Sequence, residues 1–285
     1  MKHLRVSSAF NLHGDLNGDF SAFTEAGLRF YKEKGFDAID FDLTLLGLDS
    51  EIWQEQADQA LAACEKYGLR FEIGHLPFTG GGTQGAEMDA FCEKMHRAID
   101  AAARLGLGYA VMHPNTSTLP MEKYDRAEQH DRVMRHLSPF AEHAQRVGLN
   151  VVVENMRYVP GMRYGHRYCQ SPDELCAVAD ALGVGVCWDF GHANLSGVKQ
   201  SEGLAYVGKR LKVIHVNDNT AIDDEHILPF TGSVDWHDAM HGLAAAEFDG
   251  LFNFELAAYK LPDGMRSAYA DYVIAAAKEL TSYIK

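Results

Sequence analysis

The chain has 285 residues, 47% of them hydrophobic, which suits one large domain with a full core. Asp and Glu outnumber Lys and Arg by 40 to 26, and a formal net charge of −14 argues against a surface built to grip a nucleic-acid backbone. Five cysteines at irregular spacings, with no CxxC pair, read as reduced thiols of a cytoplasmic protein. The first ten residues lack the apolar stretch of a signal peptide, and no window approaches a membrane-spanning run, so no membrane association is expected.

Taken in order, the sequence alternates strand-like and helix-like segments. The predicted strands cover residues 4–10, 38–41, 69–74, 109–112, 150–154, 184–188, 212–216 and 251–254. The predicted helices between and after them cover residues 21–34, 51–67, 87–105 and 126–147, a segment opening at Ser171-Pro172-Asp173-Glu174, and residues 202–209, 235–245 and 265–283. Ser171, Pro172 and Glu174 suit an N-cap, a first-turn proline and a reciprocal capping glutamate. Gly35, Gly68, Gly106, Gly148 and Gly183 each stand just before an apolar run, where a left-handed residue closes one helix and releases the next strand. Strand–helix units of this size imply parallel strands with right-handed crossovers. Eight of them predict an α/β protein, a (β/α)8 TIM barrel forming a single domain over residues 1–285. An open doubly wound sheet fits less well, because no glycine fingerprint follows the first strand.

The connections after strands are the long ones: 75–86 with Gly80, Gly81 and Gly82, then 113–125, 155–170 and 216–234. In a barrel this elaborated face carries the active site. Four buried strands deliver a metal-binding residue there. Val151-Val152-Val153 stops at Glu154, the run ending in Trp188 stops at Asp189, Val213-Ile214 stops at His215, and Phe252-Asn253-Phe254 stops at Glu255. Three carboxylates and one imidazole make an oxygen-rich set for one divalent metal ion, with Mn2+, Mg2+ or Co2+ favoured and Zn2+ also suited. Without a cation the three acids would repel one another. His75, His113, His192, Asp224 and His226 lie on the same rim and are candidates for binding substrate or a second metal. His96, His130, His136, His143, His237 and His241 fall on helices and read as surface residues, and Cys187 reads as a small apolar filler. Trp188 and Phe190 flank Asp189 and suit either packing or an apolar wall against a sugar.

The series Val-Glu154-Asn, Trp-Asp189-Phe-Gly-His192, Ile-His215-Val-Asn-Asp and Phe-Glu255-Leu, with the loop from Asp224 to Trp236, resembles the xylose isomerase-like TIM-barrel superfamily over residues 70–258. That group includes sugar isomerases and epimerases, ketose 3-epimerases and the apurinic endonuclease of the endonuclease IV type. The resemblance implies a divalent-metal-dependent sugar or sugar phosphate isomerase or epimerase. Glu154 and Glu255 would move a proton through a cis-enediolate, and His192 would orient substrate oxygens. The alternative it implies is a zinc phosphodiesterase acting on abasic DNA, since all nine rim residues match the trinuclear zinc positions of that endonuclease. A non-catalytic sugar-binding barrel is a third reading. The chain departs from the ketose 3-epimerase pattern at two places: Pro160 stands where a substrate-binding Glu follows the first metal Glu, and Ala221 where an Arg follows the metal His. Arg157, Arg163 and Arg167 are placed to bind a substrate phosphate or carboxylate. The expected partner is a small carbohydrate rather than nucleic acid, and a homo-oligomer is compatible with the resemblance.

Overall fold

The helix α1 (Glu25–Lys34) shows how each unit is delimited. The Thr24 hydroxyl accepts a hydrogen bond from the Gly27 amide at its start, and Gly35, at φ 92°, turns the chain out of it. The chain then enters β2 (Ala38–Asp42), paired in parallel with β1 (Val6–Ala9). In this computed structural model, which describes residues 5–12, 20–78, 84–159, 161–162, 164–258 and 261–284, the pattern repeats around a closed ring.

The remaining ring strands are β3 (Phe71–His75), β4 (Tyr109–Met112), β6 (Val151–Glu154), β8 (Gly185–Asp189), β9 (Leu211–Val216) and β10 (Phe252–Phe254). Together they close in the order β1-β2-β3-β4-β6-β8-β9-β10, all neighbours parallel. The outer layer consists of α2 (Ile52–Lys66), α3 (Ala86–Arg104), α4 (Arg126–Val147), α5 (Pro172–Leu182), α7 (Gln200–Val207), α8 (Trp236–Ala245) and α9 (Asp263–Ser282), with α1. Among the described residues no helix is long and apolar enough to cross a membrane.

Two apolar clusters divide the protein. The larger lies between strands and helices. The smaller takes one residue from each of six strands, Ala38, Ile73, Val111, Val152, Cys187 and Val213, with Leu251 just before β10, and fills the barrel interior. Cys187 is thus the filler its sequence context implies. Because side chains alternate along a strand, the residue two places on shares its inward direction.

The structure differs from the sequence expectations in several places. The connections at 113–125 and 155–170 carry an antiparallel ribbon, β5 (Thr118–Pro120) with β7 (Gly165–Arg167). A short helix, α6 (Phe190–Leu195), starts directly at the end of β8, and Asp189 is its N-cap. Ser171 precedes α5 without making a side-chain cap, and Glu174 turns inward rather than back to it; its carboxylate accepts from the Cys169 amide and contacts His166 and Tyr124. Of the helix histidines only His237 and His241 are exposed. His96, His130, His136 and His143 are half-buried, His143 on Asp100 and His130 on the Tyr168 hydroxyl, while burial followed by the charge of Arg132 pushes His136 down to about 4. Gly80, Gly81, Gly82, Pro160 and Arg163 lie outside the described residues.

Trp188 and Phe190 are packing residues. Trp188 is buried, donates its indole N–H to Gln200 on α7, and leaves no room at Gly203, where an added Cβ would stand 2.4 Å from the indole ring. Gly203→Ala is therefore expected to lower stability by about 1–3 kcal/mol through overpacking. Urea denaturation reads this as a lower midpoint; an unchanged midpoint would mean that α7 shifts freely on the barrel.

Candidate metal centre

Directly above the apolar interior layer the period-two rule yields a polar layer. Two residues beyond Ala38, Ile73, Val111, Val152, Cys187, Val213 and Leu251 stand Asp40, His75, His113, Glu154, Asp189, His215 and Asn253. Parallel register keeps the ring level: Asp189 pairs with His215, and His215 with Asn253. Glu255, two residues further along, reaches over the same centre.

Glu154, Asp189, His215 and Glu255 each offer an atom within 4.8 Å of the others. His215 Nδ1 lies 3.0 Å from Glu154 Oε1, 3.1 Å from Glu255 Oε2 and 3.9 Å from Asp189 Oδ2. The second oxygen of each glutamate meets a different imidazole: Glu154 Oε2 is 2.9 Å from His113 Nε2, and Glu255 Oε1 is 3.3 Å from His75 Nε2. A buried relay stands behind His75. Its Nδ1 is 3.0 Å from Asp40, which accepts from Asn253, which in turn accepts from Ser7.

Burial alone would raise Glu154 and Glu255, but His215, with His113 at one and His226 at the other, holds both well below the usual carboxylate range. Asp189 moves the other way. Burial raises it, and the charges of Glu154 and Glu255 add to the rise against the pull of His192. For His215 the acids outweigh burial and hold the imidazole well above its ordinary value, with the Cys187 sulfur as the first contributor.

A second group lies beside the first, formed by His192, Asp224 and His226. His192 donates Nδ1–H to the Asn155 carbonyl, and His226 donates Nδ1–H to the Glu255 carbonyl. Both rings thereby turn Nε2 toward Asp224, at 3.6 and 3.3 Å. Burial lowers these histidines, but Asp189 with Asp224 brings His192 up to about 9, and Glu255 with Asp224 brings His226 up to about 10. Arg157 Nε adds a contact to Asp224 at 2.7 Å.

All nine residues selected from the sequence thus meet in one place. The groups that hold them carry weaker signals in the sequence. Asp40 stands inside an apolar strand, and that break in alternation was its signal. Asn155 clamps the Asp189 backbone by donating to its carbonyl and accepting from its amide, and Asn217 donates to Asp189 Oδ2 at 2.7 Å. Asp218 is fully buried and accepts from the Asn219, Phe230 and Val234 amides and the Trp236 indole. Those four bonds fold the 217–234 loop so that Asp224 and His226 reach the centre.

The residues fit a divalent cation. Buried polar atoms without an aligned hydrogen-bond partner gather here, among them Glu154 Oε2, Glu255 Oε2, Asp224 Oδ1, His75 Nε2 and His215 Nε2. Above the centre opens a cavity of about 860 Å³ lined by His75, His113, Asp224, His226 and Glu255, with Phe10, Asn11, Phe78 and Leu256 among its other walls. That volume suits a small molecule.

Comparison with known proteins agrees with this architecture. A family model described as xylose isomerase-like TIM barrel matches residues 28–278. Two curated relatives are uncharacterized proteins. One, from Sinorhizobium fredii, is 27% identical over 164 residues, covering 57% of this chain and 51% of its own. The other, from Methanocaldococcus jannaschii, is 28% identical over 171 residues, covering 57% of this chain and 55% of its own. The matched region thus spans about half the length of these relatives. Similar solved structures include a D-tagatose 3-epimerase-like protein, with TM-score 0.74, 18% identity and 98% of both chains covered. A D-psicose 3-epimerase has TM-score 0.76 and 14% identity, with 97% of this chain and 99% of that one covered. A 3-keto-D-glucoside 4-epimerase from E. coli has TM-score 0.71 and 19% identity, with 97% and 98% covered. At these identities the likeness is one of fold.

Two expectations follow. Cation uptake at Glu154, Asp189, His215 and Glu255 expels the proton from His215, whose imidazole is held well above its ordinary value, so apparent affinity falls as pH drops below that raised value. Calorimetry in buffers of different ionisation enthalpy measures the release; no buffer dependence would contradict it. Gly191→Ala places a Cβ 2.0 Å from Asn217 Oδ1, displaces that residue from Asp189, and is expected to weaken divalent-ion binding about 10–100-fold.

Proposed function

The chain belongs to the xylose isomerase-like TIM-barrel family, and from that premise we propose that it is a divalent-metal-dependent isomerase or epimerase of a small carbohydrate. The observation that carries this reading is the paired arrangement of the two glutamates. Each keeps one oxygen at the His215 centre and the other on a separate histidine, His113 for Glu154 and His75 for Glu255.

Glu154, Asp189, His215 and Glu255 would hold one ion, with Mn2+, Mg2+ or Co2+ favoured for an oxygen-rich set. Bound there, the ion supplies Lewis-acid polarisation of a carbonyl and acidifies the adjacent C–H. Glu154 and Glu255 then serve as the acid–base pair. One takes the proton from the carbon beside the carbonyl, leaving a cis-enediolate, and the other returns a proton. His113 and His75 hold these carboxylates ready, and Asp40 fixes the His75 ring through Nδ1. His192 and His226 orient substrate oxygens at the neighbouring wall. Glu154, Asp189 and His215 are buried under the cavity, which shields the Glu154 side of the transfer from bulk water. The epimerases named among the similar structures support a carbohydrate substrate.

A second reading has one specific observation in its favour. His192, Asp224 and His226 form a further ligand set beside the first, as a multinuclear zinc phosphodiesterase requires. The net charge of −14 opposes a duplex as substrate.

The main reading predicts exchange of a substrate C–H with solvent deuterium by the Mn2+- or Co2+-loaded protein, lost on chelation and regained on adding the ion. Glu154→Gln and Glu255→Gln should each slow exchange by about 10²–10⁴-fold. Full exchange in both variants would falsify the acid–base assignment. Counting metals by mass spectrometry separates the readings, since one divalent ion per chain favours the isomerase and three zinc ions the nuclease.

A further inference from the structure

We propose that the substrate is an anionic carbohydrate, and that Arg167, with Arg157 beside it, binds its carboxylate or phosphate. This names the substrate class of the site described above and rests on that reading of it.

Arg167 ends the β5–β7 ribbon and is 6% exposed. Its Nε donates to the Thr116 carbonyl at 3.0 Å and lies 3.2 Å from the Thr116 hydroxyl. That uses one of the five donors of a guanidinium. Among the described residues no acceptor meets the remaining four, and no carboxylate comes within 4.0 Å. The contrast with the other enclosed arginines is sharp, since Arg266, also 6% exposed, reaches Asp263 at 3.0 Å and Arg157 reaches Asp224 at 2.7 Å. A protein with 40 acidic residues has left its most enclosed ribbon arginine without one. Burying an uncompensated cation is costly, and here burial and then the charge of Arg157 bring the guanidinium down to about 10, still charged at neutral pH.

Arg167 is also in the right place. Its guanidinium carbon lies 5.9 Å from the Phe78 ring centroid, that ring lies 4.7 Å from the His113 ring, and His113 Nε2 contacts Glu154. Phe78 and His113 line the cavity over the candidate centre, and Phe78 is 50% exposed. Arg157 approaches the same cavity through Asp224, another of its walls. Arg157 is itself paired with Asp224, so the guanidinium with free donors is that of Arg167. The planar fork of arginine matches a carboxylate or phosphate through paired hydrogen bonds.

The test uses the Mn2+-loaded protein with three ketoses: neutral D-fructose, the carboxylate D-fructuronate, and D-fructose 6-phosphate. Deuterium exchange gives kcat and KM for each. One anionic ketose is expected to exceed D-fructose in kcat/KM, and which one does so distinguishes carboxylate from phosphate. Arg167→Met should raise KM for that ketose about 10–100-fold, with a smaller change in kcat, as for loss of a charge-assisted hydrogen bond. Arg167→Lys, which keeps the charge but loses the fork, should recover part of the preference, and it carries the test if circular dichroism shows the Met variant unfolded. Equal kcat/KM for all three ketoses, or a preference that survives both substitutions, overturns the proposal. If none of the three exchanges, the isomerase reading suffers independently, and calorimetry with malonate and inorganic phosphate decides the anion site. Binding to wild type that is lost in the Arg167 variants supports it, whereas binding that persists, or none at all, overturns it.

Discussion

Three carboxylates converging on one imidazole, two of them fully buried, set the terms for the rest of this molecule. Two like charges about 4 Å apart cost about 4 kcal/mol even at an effective dielectric constant near 20. Glu154, Asp189 and Glu255 sit that close because the ring of strands holds their backbones there, and because ring nitrogens of His75, His113, His192 and His226 face their oxygens. The apolar layer beneath provides a rigid floor. A cation completes the balance, and in the proposed chemistry the same crowding gives two glutamates the positions they need to pass a proton.

The support around this cluster consists of neutral groups. Asn155, Asn217, Asn253 and Ser7 add no charge to a centre already crowded with it, yet they fix the backbone of Asp189, one of its oxygens, and the orientation of Asp40. The 217–234 loop is held by different means. His226, Phe230 and Ala221 adopt positive φ angles of 47°, 71° and 60°, which residues with a Cβ seldom accept. Four hydrogen bonds to the buried Asp218 carboxylate, and a backbone bridge between Asp218 and Ile227, tie the loop down in that form. Strain in the loop is thus balanced at its base, and the result is Nε2 of His226 turned toward Asp224.

The β5–β7 ribbon has a separate role. It belongs to neither the ring nor the helical layer, and its pairing of Thr118 with Arg167 brings a cation from one long connection beside the aromatic wall of another. The floor of the candidate site comes from the barrel, a fold this chain shares with the similar solved structures. The character of the rim comes from connections that vary freely in length and composition. In the proposed reading, Pro160 and Ala221, which depart from the ketose 3-epimerase pattern that the sequence resembles, leave substrate recognition to other rim residues.

The sequence by itself determined the alternation of strands and helices, the left-handed glycines at their joints, and the four strand ends that deliver Glu154, Asp189, His215 and Glu255. These are local signals, written in periods of two and in single residues whose backbone preference needs no partner. It also placed His75, His113, His192, Asp224 and His226 on one rim, because strand ends in a barrel all open on the same side. Tertiary structure alone decided the rest. Asp40 and Asn253 became members of the polar layer only when neighbouring strands set their height in the ring, and Arg167 became an unpaired buried cation only when β7 folded across β5. Ser171 and Glu174 spell a capping box, yet Glu174 faces Tyr124, His166 and the Cys169 amide instead. The physical reason is common to all of these: a polar side chain goes to the partner that leaves the fewest buried groups unsatisfied, and which partners are near is a property of the closed barrel.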